Sequence, residues 1–425
     1  MKIAIVAEHA SARFGGEAIL PLQYFRILRD RNYDVWLVVH ERTREELEGL
    51  FGNDPRVIFT PDTPLIRLLW RLGAFLPQRV ANFSTGYLMR LLTQRRQVKE
   101  ARRLVREEGV QIVHQPIPVS PREPSMLFRL GAPVVVGPLN GGMEFPSGFR
   151  DRSSVLEDYA VAAARAMTNV MNRLIPGKRQ ASVVMVANKR SRMALPAGLG
   201  GKVIEICENG VDFSLWGGAT GQNHQSGPAH TRFVFTGRLV DWKAVDLLLQ
   251  AFARAKELAP MSLLIMGDGD ARERLEKLAG ELDLLSSEEE VGKVRFAGWL
   301  SQKECADALA ARDALVLPSL YECGGAVVLE AMALSKPVIA TAWGGPLDYL
   351  NAECGILVPP LSPDALIDGL AEALRKLASS PELRVSMGQA AQLRVRAEFD
   401  WERKVDAVLD VYASALRSEG GAAPL

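Results

Sequence analysis

Residues 313–341 read DALVLPSLYECGGAVVLEAMALSKPVIAT. A short apolar run, DALVLP (313–318), leads into a loop carrying Glu322 and the pair Gly324-Gly325. VVLEAMAL follows as a helix with Glu330 in its first turns, and PVIAT (337–341) is a second short run. Both runs are apolar almost throughout, as parallel strands covered on both sheet faces are. The stretch is thus one strand–helix–strand step of a parallel sheet. It also places two carboxylates, Glu322 and Glu330, around a glycine pair. They could form an acid/base pair, ligate a metal, clamp a ligand by hydrogen bonds, or cap and decorate an ordinary turn and helix.

The same step recurs along the chain. KIAIVA (2–7), DVWLVV (34–39), VQIV (110–113), PVVVG (133–137) and SVVMVA (182–187) form a first series. RFVFTG (232–237), MSLLIMG (261–267), KVRFAG (293–298), DALVLP (313–318), PVIAT (337–341) and CGILVP (354–359) form a second. Between them GGATGQNHQSGPAH (217–230) breaks all periodicity and reads as a linker or exposed loop. Two successive βαβ series imply an α/β protein of two facing doubly wound, Rossmann-like domains with a cleft between them. The expected boundaries are 1–216, the linker 217–230, and 231–399, with a terminal helix in 400–425. Ligands bind such sheets beyond the carboxyl ends of the strands, so the loops after the strands carry the functional reading.

Composition narrows the classes. At 425 residues the chain has room for two or three domains, and 48% hydrophobic with 24% charged residues suits globular cores. A net charge of +1 gives no general reason to bind nucleic acid. Cys207, Cys305, Cys323 and Cys354 are scattered and suggest neither a zinc site nor a disulfide framework, which fits a reducing, cytoplasmic setting. MKIAIVAEHA reads as a buried first strand rather than a signal segment, and no apolar stretch approaches the ~20 residues of a membrane span.

Four loops carry candidate chemistry. In HASARFGGEA (9–18), Gly15 and Gly16 precede a helix; they either cradle an anion with backbone N–H groups or form a plain turn. In FTGRLVDWKAVDLLLQAF (235–252), Arg238 follows Gly237 directly and Lys243 comes five residues later, ahead of a helix. A guanidinium fork and a point charge there suit a phosphate, and two solvated basic residues are the alternative. In IMGDGDARERLEKL (265–278), Asp268 and Asp270 mimic a metal-binding D-x-D but read better as helix capping. The fourth loop is the opening one. Were its whole segment helical, eight residues would set Glu322 and Glu330 ~12 Å apart. That disfavours the ~5–5.5 Å pair of a double-displacement glycosidase. Two clamps on different parts of one ligand fit better, with glycine amides between them facing an anion.

In order and spacing, GRL-x-x-x-K, a strand ending in GDG, then PS-x-x-E-x-G-G-x-x-x-x-LEAMA-x-x-x-PVIA-x-x-x-GG resembles the C-terminal half of the family 4 glycosyltransferases. CENGVDFSLW (207–216) and FDWERKVDAVLDVYASAL (399–416) resemble that family's segments before the linker and at the terminus. GAPVVVGPLNGGMEFP (131–146) resembles a variant of its first-domain motif. The resemblance implies a retaining enzyme of GT-B fold that uses a nucleotide diphosphate sugar and needs no metal. It implies that Arg238 and Lys243 neutralise the diphosphate, that Glu322 binds donor-sugar hydroxyls and that Glu330 binds the ribose. It further implies that the backbone of Gly324, Gly325, Ala326 and Val327 faces sugar and phosphates, with Gly237 and the Gly15-Gly16 loop also at the donor.

Three departures stand out. Gly324 occupies a position where the family usually has Phe, and Ala244 one where it usually has Gly. The first-domain histidine expected near residue 137 is missing, leaving Asn140, His114 or His9 as polar candidates for the acceptor and sugar side. His9 and His114 read equally well as satisfied, half-buried histidines. Asp348 stands where the family often has Glu.

Residues 62–106 hold ten Arg/Lys against two acids, interleaved with LIRLLWRLGAFL and YLMRLL. Such a basic amphipathic stretch suits peripheral contact with an anionic membrane; it could equally pack on the first sheet, as could the apolar stretch 155–175. The expected function is hexosyl transfer from a UDP- or GDP-linked sugar to a glycan or lipid-linked acceptor, in polysaccharide or glycoconjugate synthesis. The alternatives are a nucleotide-sugar epimerase on the same fold, a non-catalytic sugar-nucleotide or glycan-binding protein, and a membrane-surface scaffold.

Overall fold

The computed structural model of the chain describes residues 1–14, 16–75, 84–152, 167–217 and 230–420. Gly15, most of the expected linker and half of the 155–175 stretch lie outside the described residues. By its contacts the chain forms two compact units. The first is Met1–Gly142, Tyr159–Glu208 and Glu402–Leu425; the second is Met143–Asp158 and Asn209–Trp401.

The first unit holds a seven-stranded parallel sheet. Its strands are β1 (Lys2–Val6), β2 (Asp34–His40), β3 (Val57–Thr60), β4 (Ile112–Gln115), β5 (Val134–Leu139), β6 (Val183–Val186) and β7 (Lys202–Glu205), in the order β3-β2-β1-β4-β5-β6-β7. The central strands are the apolar runs of the sequence. Ile3, Ile5, Val38, Val113, Val135 and Val184 are all fully buried.

The second unit holds a six-stranded parallel sheet of β8 (Thr231–Thr236), β9 (Met261–Met266), β10 (Val294–Gly298), β11 (Ala314–Leu317), β12 (Val338–Thr341) and β13 (Gly355–Val358). The order is β10-β9-β8-β11-β12-β13. Some of its helices start where side chains supply the missing acceptors. Ser301 and Glu304 form a reciprocal capping box on the helix Gln302–Ala310. Ser362 caps the helix Pro363–Ala378, whose proline sits in the first turn.

β3 and β7, the edge strands of the first sheet, escape the sequence reading. β7 is buried on neither outer residue, so it lacks the continuous apolar run that marks β1 or β5. Each sheet reverses its strand order at one point, between β1 and β4 in the first unit and between β8 and β11 in the second. Loops leaving those adjacent strands diverge and leave a crevice between them, where ligands of such sheets bind.

From Glu402 on, the last helix, Trp401–Gly420, belongs to the first unit. Val405, Val408, Tyr412 and Ala415 are buried there. Arg31 ties the exposed side to Glu402 and Asp406. The Tyr412 hydroxyl bonds His114 Nδ1 at 2.6 Å inside the core. Tyr412→Phe leaves that ring nitrogen buried without a donor. It should lower unfolding stability by ~1–3 kcal/mol, measured by urea denaturation; a variant as stable as the parent would show that the bond contributes nothing.

Candidate active site

The switch point of the second sheet gathers the charged residues read from the sequence. Gly237 follows β8, and Arg238 comes next with its side chain exposed and making no hydrogen bond or ion pair among the described residues. The chain then turns through a single 3₁₀ turn, Asp241–Lys243. Lys243 points across the switch point, and its Nζ donates to Glu322 Oε2 on the loop after β11. Both side chains are about 15% exposed (16% and 14%), so this pair is far drier than a surface pair. Leu320 N–H donates to Trp242 O at 2.8 Å and joins the two loops a second time, through the backbone.

Each loop rests on a glycine motif. A Cβ on Gly267 would lie 1.9 Å from the Gly237 carbonyl oxygen, and one on Gly269 2.4 Å from that of Leu239. Gly237 N–H donates to Met266 O, and Leu239 N–H to Asp268 O. The GDG stretch is therefore the floor under the Arg238 loop. Asp268 is taken up by the Gly269 N–H at 2.8 Å and by Arg272 at 3.4 Å; the helix Arg272–Glu281 starts at Ala271 with no side-chain cap, so the capping expected of Asp268 and Asp270 is not found. No group of three or more His, Cys, Asp or Glu residues is placed to hold a metal among the described residues.

On the other side Gly344 and Gly345 do the same for the glutamate loop. Cβ atoms there would lie 2.3 Å from the Glu322 carbonyl and 1.9 Å from that of Gly324. Gly345 N–H donates to Glu322 O at 2.7 Å. Residues 143–149 pack here too: Met143 lies against Gly344, the Trp343 indole donates to Glu144 O at 2.8 Å, and Phe145 stacks on Tyr321 at 5.4 Å.

Gly325 takes a left-handed conformation (φ 82°) and starts the helix Ala326–Ala333. The first-turn N–H groups of that helix, Ala326 and Val327 among them, have no intrahelical acceptor. Glu330 lies one turn further in. Burial pushes its carboxyl up to about 7. Cys305 lies near it, close enough that the Glu330 charge adds to burial in raising the Cys305 thiol. Sequence reasoning found the four charged residues. It missed the work of Gly267, Gly269, Gly344, Gly345 and the 143–149 segment; the glycine motifs were the available signal.

The first unit treats its candidates differently. Gly16 is exposed, with open space around a would-be Cβ. His114 is a core residue: fully buried, its Nε2 donates to Gly137 O at 2.6 Å and its Nδ1 accepts from Tyr412. Burial lowers it to about 4. Both nitrogens are committed, so it offers nothing to an acceptor. Asn140 is likewise 4% exposed, donating to Glu208 and accepting from Ser191 at 3.2 Å. His9 differs. It is partly exposed, packs edge-on to Phe14, and its buried Nδ1 has no partner among the described residues. Burial, then Arg42 and His40, lower it to about 4, so it is neutral at pH 7.

The chain is similar in sequence and in fold to known proteins. Residues 222–394 match the family described as Glycosyl transferases group 1. A glycogen synthase of Mycobacterium tuberculosis is 31% identical over 218 residues, 51% of this chain and 50% of that one. A D-inositol 3-phosphate glycosyltransferase of Streptomyces griseus is 36% identical over 194 residues, 43% of this chain and 39% of that one. The chain thus spans about half the length, or less, of these curated relatives. The Anabaena protein HepE, solved in complex with UDP, superposes with a TM-score of 0.66 at 17% identity, covering 97% of this chain and 100% of that one. The fold is that of the GT-B glycosyltransferases. The likeness to the group 1 glycosyltransferases is carried by residues 222–394.

Two outcomes follow from the site. Gly267→Ala forces a methyl into the Gly237 carbonyl and should cost at least ~3 kcal/mol. Gly280→Ala, on an open helix surface, should cost nothing or stabilise slightly; equal melting temperatures for the two variants would remove the floor role of GDG. Glu330 ionises near 4.5 when unfolded and near 7 when folded. The folded state therefore holds the extra proton between those values, and stability falls as pH rises through this window, then levels. Glu330→Gln should abolish that slope and be ~1–3 kcal/mol more stable than the parent at pH 8 but not at pH 4. Urea titrations at both pH values decide it; parallel parent and variant curves would refute the buried carboxyl.

Proposed function

We propose that the chain is a retaining hexosyltransferase using a UDP- or GDP-linked sugar, with no metal, and a glycan or lipid-linked acceptor. The observation that carries this reading is the Lys243–Glu322 pair beside exposed Arg238 at the switch point, with Glu330 set one helical turn behind. Arg238 and Lys243 supply two positive charges where the diphosphate of a donor would develop negative charge as it leaves, which lowers the barrier to departure. The free N–H groups at the start of the helix Ala326–Ala333 add to that field.

In the free protein Lys243 is held by Glu322. On donor binding the lysine turns to the diphosphate, and the carboxylate so released accepts hydroxyls of the sugar. Glu330, once ionised, accepts two ribose hydroxyls; its raised carboxyl makes donor affinity fall below about pH 7. The acceptor oxygen bonds to the anomeric carbon on the face that the phosphate leaves. The departing phosphate oxygen takes the acceptor's proton, so no protein nucleophile is required. HepE complexes with UDP and with UDP-glucose support a uridine donor. Residues 62–106 support an added element, peripheral contact with an anionic membrane.

A thermal-shift panel of UDP- and GDP-sugars tests the donor class, since a donor stabilises the fold by mass action. One sugar nucleotide should raise the melting temperature with a chelator present, and its transfer product should keep the donor's anomeric configuration by NMR. Lys243→Ala should lose that shift and reduce transfer at least ~100-fold while circular dichroism is unchanged. Undiminished transfer by this variant would overturn the diphosphate role.

A further inference from the structure

Helix Thr85–Arg103 and the turn Leu104–Glu108 after it carry a row of cations that the transfer chemistry does not use. Arg95, Arg96, Lys99, Arg102 and Arg106 line a groove of about 550 Å³ on the first unit. Steps of three and four residues keep such positions on one face of a helix. The groove's apolar lining comes from Leu92, Val98, Met126 and Phe128, and no acid lines it. None of the five cations makes a hydrogen bond or ion pair with a described residue. Their neighbours off the groove do: Arg90 pairs with Glu123, and Arg103 with Glu100 and Glu107. Five like charges crowded without a counter-charge repel one another, and a polyanion relieves that repulsion.

The adjacent helix Pro64–Gly73 decides which polyanion. It packs along Thr85–Arg103 through its buried Ile66. Its other residues leave Leu65, Leu68, Trp70 and Leu72 about half exposed or more, and Phe75 beyond it is 87% exposed. A soluble phosphate or a nucleic acid gives these side chains nothing to enter. A bilayer gives the cations lipid phosphates and the apolar residues an acyl boundary. We propose that this groove is the seat of an anionic phospholipid surface, binding headgroup phosphates while Leu68, Leu72 and Phe75 enter the interface. The proposal rests on the membrane element of the reading above and is independent of the donor chemistry.

The test is flotation of the full chain with vesicles of phosphatidylcholine alone, or mixed with phosphatidylglycerol, at low salt. The parent should float only with the mixed vesicles. The triple variant Arg95→Gln, Lys99→Gln, Arg102→Gln should bind them on the order of a hundredfold more weakly. A charge-matched control on the second unit, Arg254→Gln, Lys277→Gln, Arg375→Gln, should bind like the parent, and all three proteins should show the same circular dichroism. If the groove variant floats like the parent, the groove is overturned while membrane contact survives. If the parent never floats, membrane contact falls as well, and the donor panel is unaffected. If inorganic pyrophosphate strips the parent from vesicles at concentrations where sulfate does not, the groove selects a free diphosphate, and the lipid assignment is wrong.

Discussion

One ion pair organises the second unit. Lys243 and Glu322 are 79 residues apart in sequence, on loops leaving the two strands where the sheet reverses its order. A surface pair contributes ~0.2–1 kcal/mol, and leaving one member of a buried pair alone costs ~3–5. With each side chain about 15% exposed (16% and 14%), this pair lies towards the buried end of that range. Neither charge can be left alone cheaply. A ligand that separates them must therefore offer a replacement partner to each: an anion to the lysine, and donors to the carboxylate. A diphosphate joined to a polyhydroxyl sugar offers both in one molecule. The geometry needs the two loops at a fixed separation, and Gly267 under one and Gly345 under the other provide that with backbone packed directly on backbone.

Much of this was legible in the residues. The apolar runs marked β1, β2 and the central strands because both faces of those strands are covered; the loops after them held Arg238, Lys243 and Glu322, and the helix after β11 held Glu330. The edge strand β7 was not legible, since a half-covered strand has no continuous apolar signature, and β3 (VIFT) offers only a very short apolar run. Nor was the purpose of GDG and WGG. Their contacts involve carbonyl oxygens of distant segments, and a glycine records such a contact only as the absence of a side chain. His114 and Asn140 show the converse. Their polarity suggested a ligand, but His114's partner Tyr412 lies 298 residues away and Asn140's partner Glu208 lies 68 away. Burial and satisfaction of a polar side chain are tertiary facts, and residue type alone does not carry them.

Glu330 sets stability against function. A carboxyl raised to about 7 by burial is a cost to the folded chain at neutral pH that no neighbouring cation offsets. Groups held at such a cost cluster where binding or chemistry uses them. Its neighbour Cys305 is uncharged at neutral pH, with a thiol that is itself raised. The charge therefore finds its compensation only in a ligand that donates hydrogen bonds to it. This makes the site responsive to occupancy: the bound form relieves a destabilisation that the free form carries.

Ala244 can be weighed the same way. It follows Lys243 directly, is fully buried, and sits in the left-handed region at φ 51°. A left-handed conformation costs an alanine ~1–2 kcal/mol. Against this, the buried methyl contributes ~0.8 kcal/mol, and a non-glycine backbone loses ~0.4–1 kcal/mol less conformational freedom on folding. At positive φ the conformational cost exceeds that entropic gain, and burial of the methyl offsets part of the remainder. The position of Lys243 depends on the turn Asp241–Lys243 and on Glu322 opposite, not on the residue that follows it.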